Sequence, residues 1–316
     1  MKIIILDGYA ENPGDLSWEA LGQFGEYTVY DRTPSELIVE RAADADILVV
    51  NKTPIDAETI DKLPKLKFIA LLSTGFNVVD CAYAAKKGIP VSNIPAYSTN
   101  AVAQLVFAFI LEHYNNVKLH SDSVHSGEWT ACPDFCYWKA PLFELYGKTI
   151  GIIGYGSIGR AVAEIAKAFG MRVLAVNRSE KPADGIAEFC ILEEMLPLAD
   201  IVSIHTPLNE ETQSMVNREF LSKMKKTALL INTSRGPVVD EEALAEALNN
   251  MSIAGAGLDV LSTEPPKSDN PLLKAKNCLI TPHVAWAPYE TRKRLMDIFI
   301  SNISAFVQGK PQNRVN

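Results

Sequence analysis

Short apolar runs rich in β-branched residues alternate with helical patterns along almost the whole chain, and this alternation limits the fold more than any other feature. KIIILD (2–7), DILVVN (46–51), FIALLS (68–73) and the brief IPVSN (89–93) read as buried strands. Helical stretches such as PSELIVERAADA and VVDCAYAAKKG separate them, the second stopped by Gly88. A strand that is apolar on both faces needs cover on both, and crossover helices on a parallel sheet provide it. The pattern restarts at TIGIIG (149–154) and continues through MRVLAVN (171–177), DIVSIH (200–205), TALLIN (227–232), AGAGLDV (254–260) and CLITP (278–282).

Between the two sets, residues 99–126 predict one long helix with Thr99 or Asn100 as its N-cap. Its apolar residues cover several faces as far as Ile110 and Leu111, which places it between domains or subunits. The loop GEWTACPDFCYWKAPLFELYGK, rich in aromatics, follows. The final segment, 288–309, is an amphipathic helix with no strand after it, suited to returning onto the first set. The expectation is an α/β chain of two domains: residues 1–98 with 287–316, and residues 99–286. No repeat of solenoid length is present.

A length of 316 residues suits two such domains. The formal charge of -8 argues against nucleic acid and anionic membranes as partners. Any anionic substrate must then be met by locally placed cations. Five widely spaced cysteines, Cys81, Cys132, Cys136, Cys190 and Cys278, do not form a disulfide framework and fit a reducing compartment. Cys132 and Cys136 lack the further ligands a zinc site needs, so no metal is expected. The N-terminal apolar run is too short for a signal peptide, and no stretch approaches the roughly 18 apolar residues of a membrane span. A soluble, cytoplasmic protein is expected.

Gly154-Tyr155-Gly156-Ser157-Ile158-Gly159 is a G-x-G-x-x-G between a predicted strand and the predicted helix RAVAEIAKAFG. In that context the glycines allow a tight turn, close approach of a pyrophosphate and close helix–strand packing, with free N–H groups facing the phosphates. NAD sites usually carry a carboxylate about 20 residues on, for the ribose hydroxyls. This chain has Asn177, Arg178 and Ser179 there, which favours NADP(H) over NAD(H). The alternative is that Arg178 stacks on the adenine or points to solvent.

Three further polar residues each follow a predicted strand: Arg235 in INTSRGPVVDEEAL, Glu264 in GLDVLSTEPP and His283 in LITPHVAWAP. Ligands of open α/β sheets gather at the carboxyl ends of strands. Singly, these would read as a surface arginine, a loop glutamate and a capping histidine.

Taken in order, IGIIGYGSIGR, IHTPLNEET, LINTSRGPVVDEEAL, GAGLDVLSTEPP and TPHVAW resemble the signature blocks of the D-isomer-specific 2-hydroxyacid dehydrogenase family. The similarity spans nearly the whole chain, including LLSTGFNVVD and AYSTNAVAQ. It implies two Rossmann-like, doubly wound parallel-sheet domains with the active site in the cleft between them, and a homodimer. By position, Arg235, Glu264 and His283 match the family's catalytic residues. Reduction of a 2-oxo acid needs a hydride at the carbonyl carbon and a proton at its oxygen. His283 can give the proton, Glu264 can orient the imidazole, and Arg235 can hold the substrate carboxylate.

The resemblance also implies that backbone N–H groups of Ser73, Thr74, Gly75 and Phe76 bind the substrate carboxylate. It implies that His205, Thr206 and Pro207 wall the cofactor, with Thr233, Asp259 and Val102 near the nicotinamide. Gln104 stands where many relatives carry Glu. Trp138 lies where some glyoxylate/hydroxypyruvate reductases project a Trp into the partner's site, although ordinary packing of a dimer arm fits it equally well. The expected substrate is hydroxypyruvate or glyoxylate, giving D-glycerate or glycolate. Glu264 argues against formate, since formate dehydrogenases of the family pair the His with Gln. A phosphite dehydrogenase and an NAD(H)-sensing corepressor-like binding protein are the alternatives.

Overall fold

The computed structural model describes residues 1–179 and 184–316. It divides into two compact units, Met1–Tyr97 with Ala287–Asn316, and Ser98–Trp286.

In the first unit, β1 (Lys2–Ile5), β2 (Glu26–Val29), β3 (Ile47–Val50), β4 (Phe68–Leu71) and β5 (Val91–Ser92) form a parallel sheet in the order β2-β1-β3-β4-β5. The central strands are buried throughout, as their unbroken apolar runs require. The intervening helices are short: α1 (Ile38–Ala42), α2 (Ala57–Asp61) and α3 (Cys81–Lys86). Asp56 and Asp80 cap α2 and α3 by accepting the N–H of Thr59 and Tyr83. The C-terminal helix, Tyr289–Val307, packs on β4, where Phe306 stacks on Phe68 with ring centroids 4.4 Å apart. Beyond it the tail closes the β5 edge: Arg314 bridges Ser92, and Asn316 accepts the N–H of Val91 through its side chain.

The second unit opens with α4 (Thr99–Asn115) and α5 (Val117–His125). The single helix expected over 99–126 is therefore two. Asn116 between them adopts φ 48°, ψ 46°, a left-handed conformation that Asn tolerates better than most residues. The N-cap is Ser98 rather than Thr99 or Asn100, and its side chain makes no capping bond. Then follow β6 (Thr149–Ile153), α6 (Ser157–Ala168), β7 (Arg172–Val176), β8 (Glu188–Phe189), α7 (Leu192–Met195), β9 (Ile201–Ile204), α8 (Arg218–Lys223), β10 (Leu229–Asn232), α9 (Glu241–Asn249), β11 (Gly255–Leu258) and β12 (Cys278–Ile280). With the C-terminal helix numbered α10, the chain order is complete. The strands form a parallel sheet in the order β12-β11-β10-β9-β6-β7-β8. Helix α4 lies against α6 and against β10 and β11, which explains its apolar residues on several faces.

Two strands were not expected from the sequence. Both β2 and β8 are sheet edges with largely exposed residues, so neither carries the apolar run that marks the others.

The loop after β1 holds an unusual carboxylate. Asp7 accepts the N–H groups of Asn51, Lys52 and Thr53, and Arg292 clamps Asp15 with two bonds while donating to the carbonyl of Glu11. Glu11 is 1% exposed, and among the described residues neither carboxylate oxygen has a hydrogen-bond partner. Burial, aided by the nearby Asp7 charge, pushes its pKa up from 4.5 to about 9. Between those values the folded chain holds a proton that the unfolded chain has lost. Stability therefore falls as pH rises through that window and levels off above it. Glu11→Gln should flatten the pH dependence of the melting temperature between pH 5 and pH 9, with the largest gain over wild type at the alkaline end. An unchanged slope would show that Glu11 ionises without penalty.

Candidate active site

The carboxyl ends of the second unit's strands carry nearly all the polar residues singled out from the sequence. The Gly154–Gly159 turn joins β6 to α6. Gly156 is the N-cap of α6 and brings no capping side chain, so the first N–H groups of the helix have no intrahelical partner. A Cβ at Gly156 would meet nothing within 4 Å, leaving an open cradle above the turn. A Cβ at Gly159 would lie 2.2 Å from the carbonyl oxygen of Gly154, so only glycine lets helix and turn approach this closely. Ser157 and Ile158 form the first turn of the helix. Tyr155 points into the core, and its hydroxyl donates to Asp184 at 2.7 Å.

After β7, Asn177 is spent on local structure. Its Oδ1 accepts the Tyr155 N–H at 3.0 Å, and its Nδ2 donates to the carbonyl and hydroxyl oxygens of Ser179. Arg178 is different: its side chain is 83% exposed, and its guanidinium comes only within 3.9 Å of Glu211.

After β9, the His205 ring meets the Ser203 hydroxyl at 2.8 Å, and burial pushes its pKa down to about 4, so it is neutral at pH 7. The carbonyl of Pro207 accepts from Thr212. The hydroxyls of Thr206 and Thr233 are buried without partners among the described residues, an uncommon condition for a polar atom. These hydroxyls, the open cradle and the uncapped helix end fit a dinucleotide rich in hydroxyl, amide and phosphate groups. Val102 is buried in the first turns of α4.

Three adjacent strands, β10, β11 and β12, bring the catalytic candidates to one edge region of the sheet. His283 Nδ1 lies 2.7 Å from Glu264 Oε2, and the other oxygen of Glu264 accepts the N–H of Leu261 at 3.1 Å. The imidazole is thus fixed through one nitrogen, and Nε2 has no partner among the described residues. Arg235 is exposed and donates to the Ser234 carbonyl, with no carboxylate partner among the described residues.

Several residues that hold this arrangement were not anticipated. Buried Asn232 accepts from the N–H and hydroxyl of Ser234 and donates to the Arg235 carbonyl, setting the arginine turn. A Cβ on Gly236 would lie 1.9 Å from the carbonyl carbon of Leu261, so the arginine turn and the glutamate loop touch backbone to backbone. Asp259, expected near the nicotinamide, spends both carboxylate oxygens internally: it accepts from the Thr281 hydroxyl and from the N–H of Val284 and Ala285. Its carbonyl takes the N–H of His283, whose φ is 54°. The only sequence signal for these roles was their position beside a strand end.

Ser73, Thr74, Gly75 and Phe76 lie at the end of β4 in the first unit. The Ser73 hydroxyl donates to the Gly75 carbonyl, and Asn93 and Ile94 brace the turn from β5. Among the described residues, the N–H groups of Gly75 and Phe76 have no partner. Trp138 lies in the loop after α5 and is largely exposed, as are Phe135, Phe143 and Tyr146. All five cysteines are free thiols. Among the described residues, no group of metal-ligating side chains is assembled, and no helix is long and apolar enough to cross a membrane.

Comparison with known proteins identifies a family and several relatives. Residues 107–285 match the model described as the D-isomer specific 2-hydroxyacid dehydrogenase, NAD binding domain. A hydroxypyruvate reductase of Blautia hydrogenotrophica is 50% identical, with 100% of both chains covered. A glycerate dehydrogenase of Methylorubrum extorquens is 44% identical over 92% of each chain. Among solved structures, the TT0316 protein from Thermus thermophilus superposes with a TM-score of 0.88 at 36% identity, with 100% of both chains covered.

Two glycine substitutions separate fold from ligand at this site. Gly236→Ala should cost about 1–3 kcal/mol and lower the melting temperature, because backbone must move. Gly156→Ala should leave the melting temperature unchanged yet weaken NAD(P)H binding by about tenfold, seen by fluorescence titration. Undiminished cofactor affinity in Gly156→Ala would remove the cradle from the site.

Proposed function

The chain belongs to the D-isomer specific 2-hydroxyacid dehydrogenase family, and from that premise we propose that it reduces hydroxypyruvate and glyoxylate to D-glycerate and glycolate. The observation that carries this reading is the 2.7 Å contact of His283 with Glu264, on strand ends neighbouring that of Arg235. The Gly154–Gly159 turn would hold NAD(P)H, which when bound would supply the hydride for the carbonyl carbon of the substrate.

The chain's own residues do the rest. His283, charged, gives a proton from Nε2 to the carbonyl oxygen as that oxygen gains negative charge; in the reverse direction the neutral ring takes it back. Glu264 holds the ring through Nδ1 and balances its positive charge. Arg235, with no carboxylate partner among the described residues, is available to grip the substrate carboxylate and polarise the carbonyl. The Ser73–Phe76 turn, through its N–H groups, is assigned to substrate binding. Thr206 and Thr233, whose hydroxyls have no partner among the described residues, are assigned to the cofactor together with the Gly154–Gly159 turn, His205, Pro207 and Val102. Asp259 acts on the cofactor side by fixing the His283 turn.

NADP(H) is the favoured cofactor, supported by the exposed Arg178 and by Asn177 in the position directly after β7. A homodimer is supported by the exposed aromatic residues after α5, with Phe135 89% exposed. Trp138 from this segment is assigned to the partner's substrate pocket.

Initial rates with NADH and NADPH against hydroxypyruvate, glyoxylate, pyruvate and an aromatic 2-oxo acid test the reading. The highest kcat/KM is expected for hydroxypyruvate or glyoxylate; a faster aromatic acid overturns the substrate assignment. His283→Ala should lower kcat by about 10²–10⁴-fold, and an unaltered kcat would sink the proton-transfer role. Trp138→Ala should change the ranking of the four acids, and an unchanged ranking returns this residue to simple packing.

A further inference from the structure

We propose that Glu211 is a specificity-determining residue for the cofactor: paired with Arg178 across the carboxyl end of β6, it opposes binding of an adenosine 2′-phosphate. The proposal rests on the reading that Arg178 receives that phosphate, and it assigns the opposing charge to a different loop.

Strand order supplies the geometry. β6, which leads into the glycine turn, lies between β7 and β9. Arg178 follows β7 and Glu211 follows β9, so the pair bridges the mouth of the phosphate-binding turn. The guanidinium and carboxylate are 3.9 Å apart, with the two side chains 83% and 73% exposed. Their backbones are held in place. The Asn177 side chain ties the first loop to Tyr155 of the turn. On the other side, Asn209 Oδ1 accepts the N–H of both Glu211 and Thr212, and the Thr212 hydroxyl is bonded to Pro207 and Asn209. Glu211 is therefore presented to Arg178 by a braced loop.

The chemistry follows from charge. A 2′-phosphate, doubly charged or nearly so, must displace the Glu211 carboxylate from Arg178 and then remain close to it. A ribose 2′-hydroxyl meets no such repulsion. Glu211 thus works against NADPH in a chain whose β7 end otherwise favours it, and the two residues together narrow the gap between the cofactors. An ion pair this exposed is weak, so the expected effect is modest and sensitive to salt.

The experiment compares kcat/KM for NADPH and NADH in wild type, Glu211→Gln, Glu210→Gln and Arg178→Ala. Glu210 is an exposed neighbour of equal charge and controls for net charge alone. Glu211→Gln should raise kcat/KM for NADPH about fivefold, leave NADH within about twofold, and lose most of this gain at high ionic strength. A gain no larger than that of Glu210→Gln overturns the proposal. If Arg178→Ala weakens NADPH while Glu211→Gln changes nothing, the Glu211 role alone falls. If Arg178→Ala leaves NADPH use intact, the phosphate-reading role of Arg178 fails, and the Glu211 proposal falls with it.

Discussion

The buried carboxylate of Asp259 is the interaction on which the arrangement of this site depends. It is 1% exposed, yet it accepts three hydrogen bonds, all from the segment 281–285. Its own N–H goes to Asn232 at the end of β10, and its carbonyl receives the N–H of His283. One residue thus couples the ends of β10, β11 and β12 and pins His283 in a left-handed conformation that few side chains adopt. A charge without partners at this depth would be costly; with three donors it becomes a rigid anchor.

From that anchor the remaining parts acquire their places. His283 has only one ring nitrogen engaged among the described residues, by a glutamate that is itself steadied by the Leu261 N–H. Gly236 brings the arginine turn against the backbone of the glutamate loop, and Asn232 sets the shape of that turn. Backbone contacts carry the geometry, while the side chains of Arg235, Glu264 and His283 stay at least partly open to solvent. Such a division suits groups that must meet a substrate without rebuilding their support.

The candidate site was legible in the sequence because its polar residues follow apolar strands. Arg235, Glu264 and His283 interrupt three successive runs, and the glycine turn lies between a strand and a helix. The support was not legible. Asp259 acts on a segment more than 20 residues on and Asn232 on the turn just after it, and their letters look the same as ordinary strand-end caps. Asn116 divides the first long helix by a backbone conformation that periodicity cannot register. The edge strands β2 and β8 escaped because exposed residues carry no burial signal. In the Asn177-Arg178-Ser179 segment, Asn177 donates to Ser179, and the Arg178 side chain is left 83% exposed, a division that the three letters do not announce.

The same economy of charge runs through both units and reconciles an acidic chain with anionic ligands. Asp7 turns inward onto the N–H groups of Asn51, Lys52 and Thr53, as Asp259 does onto Val284 and Ala285. Asp184 takes the N–H of Ile186 and Ala187 along with the Tyr155 hydroxyl. Each of these carboxylates meets internal donors, so its charge is partly compensated where it stands. Donors not consumed in this way, among the described residues, include the N–H groups of Gly75 and Phe76, the first turn of α6 and the guanidinium of Arg235. A net charge of -8 therefore says little about the local field at these points. Attraction of a 2-oxo acid or a dinucleotide depends on which donors the fold leaves unspent, and the inward-facing aspartates decide that.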